Sequence, residues 1–341
     1  MKSPTLKTVM MTIGDRSNTD VSVCYLTDKA DVNTVNAVID KLKNIPLNTI
    51  VSSEYLQSFL EPGGTTLFSQ ISVTERPDVF ASKLYEGRVG IIVDGTPFAL
   101  ILPSLFAENF VTMDDYSHKP YFSAFLRTIR FFAFIAAAVL PGLYVALCNF
   151  HPEMFRSGLL LNIYSSVQTT AYPVFGECLI MYILYEIMRE AGLRLPRSVG
   201  HAVSIVGGLV IGEISVSAGL MSAPVVLIIA ATGLCSFAVP DLYDSCMILR
   251  LAFIIAGGVL GLFGITVFGV AIFFRICSKN AYGVPYTAPF APITIKSIMR
   301  DTFFRASWKK LSGSDMTVQQ LSGKAKSKRG GERTIRDEQN K

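Results

Sequence analysis

Two acidic residues in strongly apolar surroundings are the side chains in this sequence best suited to chemistry. Glu213 lies in the apolar block 202–239, and Glu177 lies between Phe175 and Cys178 near the start of another apolar segment. A carboxylate in hydrocarbon costs several kcal/mol unless it is protonated, paired or in contact with water. One hypothesis is that these acids line a cation path, because a ring of carboxylates from several copies would concentrate monovalent cations.

Structural interpretations of the same two acids remain open. Glu213 can be protonated and hydrogen-bonded to a neighbouring helix, or it can lie at the membrane interface if the block is really two short crossings. The same alternatives apply to Glu177, which can also lie at headgroup depth. The sequence pattern alone keeps both hypotheses for both residues.

The charged residues that follow Glu177 are explained by pairing along a helix. Glu186 and Glu190 lie three and four positions from Arg189 and Arg194, which places them on one helix face. These spacings predict ion pairs and no further function.

No catalytic, cofactor or metal site is predicted. His151 and His201 lie just outside apolar segments and have no carboxylate or second histidine at a convincing ligand spacing, so His201 is expected to cap or anchor. None of the six cysteines forms a CxxC pair. No nucleophile, base and orienting group occur at an interpretable spacing, and the chain is therefore not expected to be an enzyme.

Glycines recur in two apolar blocks, and in the second block they lie at spacings of three and four, which is typical of close helix packing in lipid. They are Gly207, Gly208, Gly212 and Gly219 in one block, and Gly257, Gly258, Gly261 and Gly264 in another. The first group lacks the Gly-Lys-Ser/Thr ending of a phosphate-binding loop. Packing against a neighbouring helix, or self-association, is the expected role.

The elements that would position these residues lie in two different environments, water and lipid. Half of the 341 residues are hydrophobic and the mean hydropathy is +0.43, but the apolar excess lies in residues 124–276. The predicted fold class is an α-helical multi-pass membrane domain preceded by a small α/β soluble domain. We place the soluble domain at residues 1–112, a linker at 113–123 and the membrane domain at 124–280.

The soluble domain is predicted from alternating strand and helix patterns. These are a strand at 21–27, a helix at 30–45, a second unit at 48–60, a helix at 76–87, a strand at 88–94 and a returning strand at 97–103. The Asp94-Gly95 turn between the last two strands predicts a hairpin.

Four to five membrane spans are predicted, with a possible re-entrant segment in 202–239. The apolar blocks are 124–150 with Pro141-Gly142 inside it, 173–188, 202–239 and 251–276, and their ends carry the cations Arg127, Arg130, Arg250, Arg275 and Lys279. Basic residues near the first span, in the 189–197 loop and after Ile276 orient the amino-terminal domain and the carboxy-terminal tail to the cytoplasm. Both ends of the chain then lie on the same side of the membrane, which requires an even number of spans.

The carboxy-terminal region is predicted to lie on the membrane and then to be disordered. Residues 281–311 form an aromatic and basic interfacial segment, in which Tyr282 and Tyr286 act as anchors and Trp308 extends a cationic amphipathic helix. Residues 312–341 form a disordered basic tail. The net charge of +5 therefore indicates membrane lipids as partners and does not require nucleic acid.

Several stretches together resemble the A-subunit family of bacterial spore germination receptors, the GerA type, over most of residues 8–293. They are TERPD and EGRVGIIVDGTPF, LPGLYVAL and FHPEM, REAGLRLPRSVGHAVSIVGGLVIGE, and YGVPYTAPFAP. The likeness rests on the order and spacing of these stretches, none of which is a catalytic signature. By comparison with the family pattern, the first part of the usual amino-terminal region is expected to be missing from this chain.

The resemblance implies a subunit of a nutrient germinant receptor in the inner membrane of the endospore. It implies assembly with B-type transporter-like and C-type lipoprotein subunits, formation of a homo-oligomer, and service as the ion-conducting part that triggers germination. The alternative is a membrane scaffold that assembles the receptor partners without conducting ions itself.

Overall fold

The chain folds into two compact units in the computed structural model, which describes residues 3–63, 66–291, 301–302 and 317–321. The sheet unit contains residues 1–127 and 274–341, and the helical unit contains residues 128–273. The described residues from 274 onward therefore group with the amino-terminal ones.

The sheet unit is built on five strands in the order β1-β2-β4-β5-β3, and all of its neighbouring strands are antiparallel. The prediction of a small soluble domain with alternating helices and strands is thus correct only in part, because its sheet is antiparallel. The strands are β1 (Leu6–Ile13), β2 (Thr19–Leu26), β3 (Ser72–Thr74), β4 (Val89–Val93) and β5 (Ala99–Leu102).

Three helices accompany this sheet: α1 (Val32–Lys43), α2 (Glu54–Leu60) and α3 (Pro77–Tyr85). The Asp31 side chain caps α1 by accepting a hydrogen bond from the Thr34 amide at 3.0 Å. Apolar side chains of α1, α2 and the strands form one core, in which Val23, Val38 and Leu56 have no exposed surface. The predicted β4–β5 hairpin is confirmed, and its Gly95 has a φ of 78°.

The helical unit consists of six helices among the described residues, two of which continue into the sheet unit. They are α4 (Pro120–Phe150), α5 (Ser157–Gln168), α6 (Val174–Arg194), α7 (Arg197–Ser217), α8 (Ala223–Phe237) and α9 (Tyr243–Cys277). α4 runs through Pro141 as one helix.

Two helices of the described chain are long and apolar enough to cross a membrane: residues 120–150, and residues 240–277, which include α9. The α7–α8 block contains shorter apolar helices, Gly207–Ser217 and Ala223–Phe237. α6 spans 21 residues but carries two acids and two arginines in its second half. The predicted count of four to five spans therefore stays a prediction beyond these two helices.

The glycine-based prediction of close helix contacts is confirmed where α4 crosses α9. A Cβ atom added to Gly142 would lie 2.3 Å from the Phe253 carbonyl oxygen, and one added to Gly257 would lie 2.3 Å from the Gly142 carbonyl oxygen. At Gly261, α9 leaves helical geometry, with φ 62° and ψ −146°.

The segment after α9 packs on the sheet unit. A short hairpin of β6 (Asn280–Ala281) and β7 (Val284–Pro285) follows, and Tyr286 is fully buried against Phe106, with ring centroids 6.0 Å apart. Tyr282 packs against the core of the sheet unit. Both tyrosines therefore contact protein, which contradicts the membrane anchoring predicted for them. Trp308 lies outside the described residues.

The predicted disordered tail is wrong for its described part. Val318–Leu321 forms a 3-10 turn, Val318 is 3% exposed, and its amide donates to the Glu86 carbonyl at 2.8 Å. The remainder of 312–341 lies outside the described residues. Arg127, expected to reach lipid headgroups, is instead 1% exposed and pairs with Asp115 at 3.1 Å and with Asp301 at 3.2 Å.

Candidate functional site

A buried arginine links three helices of the helical unit. Arg250 lies in α9 and is 1% exposed. Its Nε donates to the Ala137 carbonyl of α4 at 2.8 Å, and its Nη2 donates to the Thr232 carbonyl of α8 at 3.2 Å and to the Ser236 hydroxyl. The guanidinium therefore binds main-chain and hydroxyl oxygens that face the interior of the helix bundle.

Glu186 of α6 supplies the counter-charge. Its Oε1 lies 3.5 Å from Nη1 of Arg250, and its Oε2 accepts hydrogen bonds from Arg189 at 3.1 Å and from the Tyr243 hydroxyl at 2.8 Å. The Arg189 guanidinium also stacks 3.9 Å from the Tyr243 ring centroid. This polar network, defined as Arg250, Glu186, Arg189, Tyr243 and Ser236, ties α4, α6, α8 and α9 together.

The network is a structural device because an arginine that is withdrawn from water requires a partner for each donor group. Nε, Nη1 and Nη2 of Arg250 all have oxygen partners. The rings of Tyr182 and Tyr185 lie 5.7 and 5.8 Å from its guanidinium carbon and add cation–π contact. The arrangement can hold helices in register, and it contains no nucleophile beside a base.

Spacing in the sequence predicted only the Glu186–Arg189 part of this network. The Glu186–Arg189 pair and the Glu190–Arg194 pair, at 3.1 and 2.7 Å, are confirmed. The sequence pattern places Arg250 at the end of the last span, but α9 begins at Tyr243, so Arg250 lies about two turns inside the helix. The sequence signal for a buried Arg250 was its position between apolar residues on both sides.

Glu177, one of the two predicted path residues, is completely buried in the helical unit. Its Oε2 accepts hydrogen bonds from the Ser222 amide at 3.0 Å and from the Ser222 hydroxyl at 2.5 Å. Ser222 is the residue before α8, so the carboxylate lies at the positive end of that helix dipole. In this conformation Glu177 fastens the first turn of α6 to the start of α8.

Glu213, the other predicted path residue, lies on the exposed side of α7. Leu209, Val210 and Ile214 around it are also exposed, at 63%, 43% and 56%. The preceding Gly212 faces the other way, since a Cβ at this position would lie 3.6 Å from Val226 of α8. The structure therefore separates the two acids, because Glu177 is buried and Glu213 is exposed.

Metal-binding geometry is not found in the described parts of the chain, where no group of three histidine, cysteine or acidic side chains converges. His151 lies 3.4 Å from Glu153 in an exposed pair. The side chain of His201 lies outside what the structure describes. All six cysteines are free.

The sheet unit has its own buried ionic cluster around Arg88, which is 2% exposed. Its Nη1 donates to the Pro103 carbonyl at 2.6 Å and to Glu108 at 2.5 Å, while Lys83 reaches the same carboxylate at 3.0 Å. Burial alone would raise the pKa of Glu108, but Arg88 and Lys83 outweigh burial and hold that pKa at about 2. The cluster fixes the loop after β5 to the end of α3.

Comparison with known proteins places these features in a family. The family model described as "Bacillus/Clostridium GerA spore germination protein" matches residues 1–316. The chain is 39% identical over 310 residues to "Spore germination protein KA" of Bacillus subtilis (strain 168), which covers 90% of this chain and 57% of that protein. It is 33% identical over 307 residues to "Spore germination protein GerLA" of Bacillus cereus, covering 89% and 62%.

A further relative is an "Uncharacterized membrane protein YfkQ" of Bacillus subtilis (strain 168), 33% identical over 331 residues, with 96% of this chain and 64% of that protein covered. The chain thus spans about 57 to 64% of the length of these relatives. The crystal structure of the N-terminal domain of the A subunit of the Bacillus megaterium spore germinant receptor GerK3 is 43% identical. It covers 30% of this chain and 82% of that one, with a TM-score of 0.25.

The extent of the family match and the identities to these relatives confirm the resemblance read from the sequence motifs. The chain belongs to the GerA family of spore germination proteins.

Proposed function

We propose that this chain is an A-type subunit of a nutrient germinant receptor in the spore inner membrane, and that several copies form the ion-conducting part of that receptor. The observation that carries the proposal is the exposed carboxylate of Glu213 in the apolar part of α7, Gly207–Ser217. In a single chain it would face hydrocarbon at a cost of several kcal/mol. Facing water in a central opening removes that cost.

The surroundings of Glu213 support an assembly of this kind. Ser217 lies one turn further along the same face of α7 and is also exposed. Gly208, on the exposed surface of the same helix, permits close approach of a second helix. Copies of α7 around an axis would present a ring of carboxylates followed by a ring of hydroxyls, which is suited to a monovalent cation.

Glu177 enters the proposal in a second role. Its carboxylate can contribute to a path only if its hydrogen bonds to Ser222 open, because both involve the same buried oxygen. Opening would also free the start of α8. We therefore assign Glu177 to the transition between closed and conducting states, and Glu213 to the path itself.

The proposed partners and topology follow the family. B-type transporter-like and C-type lipoprotein subunits would complete the receptor, and membrane lipids would surround α4 and α9, the helices that are long and apolar enough to cross. With α7 and α8 as further crossings, the membrane domain becomes multi-pass. The sheet unit and the carboxy-terminal tail would face the cytoplasm.

The test is Glu213→Gln in the full-length protein of germinating spores. The initial rate of monovalent cation release should fall several-fold while the protein level is unchanged, because the substitution removes the charge and keeps the shape. Glu190→Gln is the matched control, since Glu190 is an exposed helix-end acid paired with Arg194. Wild-type release from the Glu213 variant would remove this residue from the mechanism.

The alternative function is a scaffold that holds the receptor partners without conducting ions. The engagement of Glu177 with Ser222 favours it, because one of the two acids is used to hold helices together. Flux measured with the purified protein in liposomes separates the two functions. A scaffold leaves the liposomes tight, whereas a conducting oligomer releases trapped cations and loses this activity on Glu213→Gln.

A further inference from the structure

Hydrogen bonds fasten the end of α2 and the loop after it to the chain immediately after α9. α9 ends at Cys277, and Nζ of Lys279 donates to the Phe68 carbonyl at 2.7 Å. The Tyr282 hydroxyl donates to the Leu60 carbonyl, which also accepts from Nζ of Lys41 at 2.8 Å. The loop between α2 and β3 is therefore held beside the exit of α9.

This attachment places α2 close to the membrane surface if α9 crosses the bilayer. Leu60 is the last residue of α2, and its partner Tyr282 lies five residues after the end of α9. Five residues span at most about 18 Å when fully extended. The actual span is shorter, because β6 and β7 fold back on each other.

The outer face of α2 carries aromatic side chains that the sheet unit does not cover. Tyr55 and Phe59, four residues apart on one face, are 50% and 38% exposed, whereas Leu56 and Leu60 are fully buried. Val51, just before the helix, is 66% exposed. Aromatic side chains are enriched where one side of a protein meets lipid headgroups.

Charge at the end of α9 fits the same location. Arg275 lies two residues before the end of the helix and is exposed, and a cation at this position favours anionic headgroups. The adjacent Phe273 and Phe274 are 64% and 67% exposed, as expected for side chains in contact with lipid. The end of α9 thus carries side chains suited to lipid, and the end of α2 is tied to the chain just after it.

We propose that Tyr55 and Phe59 dock α2 on the headgroup region of the membrane in which α9 is embedded. This proposal relies on the membrane location given under the proposed function, and it is independent of ion conduction. Its occupant is a lipid surface. A protein covering these side chains instead would leave them shielded from lipid.

The experiment uses the full chain, reconstituted in vesicles that contain anionic lipid with bromine near the glycerol end of the acyl chains. Trp308 is the only tryptophan in the sequence, so Trp308→Phe gives a background in which single tryptophans are placed. Phe59→Trp should emit roughly two-fold less in brominated than in unbrominated vesicles, as an aromatic ring at headgroup depth does. Tyr55→Trp provides a second probe on the same face.

Two controls separate the possible outcomes. Met10→Trp, at an exposed position of the strand on the opposite sheet edge from β3, should be unquenched. Phe274→Trp, at a 67% exposed position near the end of α9, should be quenched when α9 is embedded. Quenching at 274 without quenching at 55 and 59 would overturn the docking proposal and leave the membrane location intact. Absence of quenching at 274 would overturn that location as well.

Discussion

Both units of this protein bury arginine side chains, but they satisfy Arg88 and Arg250 with different chemistry. Arg88 in the sheet unit is met by carboxylates of Glu108 and Glu86, together with one main-chain carbonyl. Arg250 in the helical unit is met chiefly by carbonyls and a hydroxyl from two helices, with Glu186 at 3.5 Å. The helical unit thus uses main-chain carbonyl groups to bind a buried charge, whereas the sheet unit uses ion pairs.

Removing Arg250 is the strongest test of this difference. Arg250→Met should lower the free energy of unfolding by about 3–5 kcal/mol, because Glu186 keeps a buried charge and three helices lose their common partner. Thermal unfolding of the purified chain in detergent, followed by helical circular dichroism, measures the loss.

The matched control for this change is Arg194→Met. Arg194 pairs with Glu190 at 2.7 Å but is 80% exposed, so its loss should cost about 0–1 kcal/mol. Arg250→Lys should restore little stability, since one ammonium cannot replace the forked contacts. An Arg250→Met protein as stable as the wild type would mean that the bundle does not depend on this side chain.

Neutralising Glu108 tests the ion-pair chemistry of the sheet unit. Glu108→Gln should cost about 1.5–3 kcal/mol at neutral pH, because Arg88 loses a charged partner. The pKa of Glu108 is held at about 2 in the folded protein, below its ordinary 4.5. Its stabilisation is therefore complete above pH 4.5 and is lost as the pH falls toward 2.

Hydrogen exchange of β4 and of residues 105–110 as a function of pH measures this effect locally. Protection there should decline between pH 4.5 and 2 in the wild type and lose that part of its pH dependence in Glu108→Gln. An unchanged pH dependence in the variant would show that another carboxyl controls the acid sensitivity of the cluster.

Glycine substitution gives the smallest effect and sharpens the contrast in packing. Gly142→Ala should cost about 1–3 kcal/mol, because the new methyl group would lie 2.3 Å from the main-chain oxygen of Phe253. Gly90→Ala in β4 places a methyl group equally close to the Phe80 ring, a side chain that can move, and should cost less. Equal losses of stability in the two variants would mean that α4 and α9 move apart as easily as the Phe80 ring rotates.

Local signals in the sequence predicted much of the sheet unit. Turn residues such as Asp94-Gly95 and alternating apolar residues identified the β4–β5 hairpin. β1 was not predicted, because it is an edge strand with partly exposed side chains on both faces. Its pairing with β2 is what identifies it as a strand. The antiparallel arrangement also depends on contacts between distant strands, which periodicity does not report.

The site was predictable only where its contacts are local. Glu186 and Arg189 are one helical turn apart and follow from spacing. Arg250 is 64 residues from Glu186, and its contact with Ala137 joins positions 113 apart, so only the folded bundle brings them together. Glu177 was identified as unusual from its apolar setting, but its partner Ser222 lies 45 residues away.

The interruption of α9 at Gly261 has a consequence for how this helix can bend. Its φ of 62° lies in a region that glycine alone enters freely, and a Cβ there would also press on the Phe150 ring at 3.0 Å. Glycine adopts positive and negative φ at comparable cost, so a change in the torsions of this one residue would let α9 straighten. Any other amino acid at position 261 would strain the bent form, because its Cβ disfavours a positive φ.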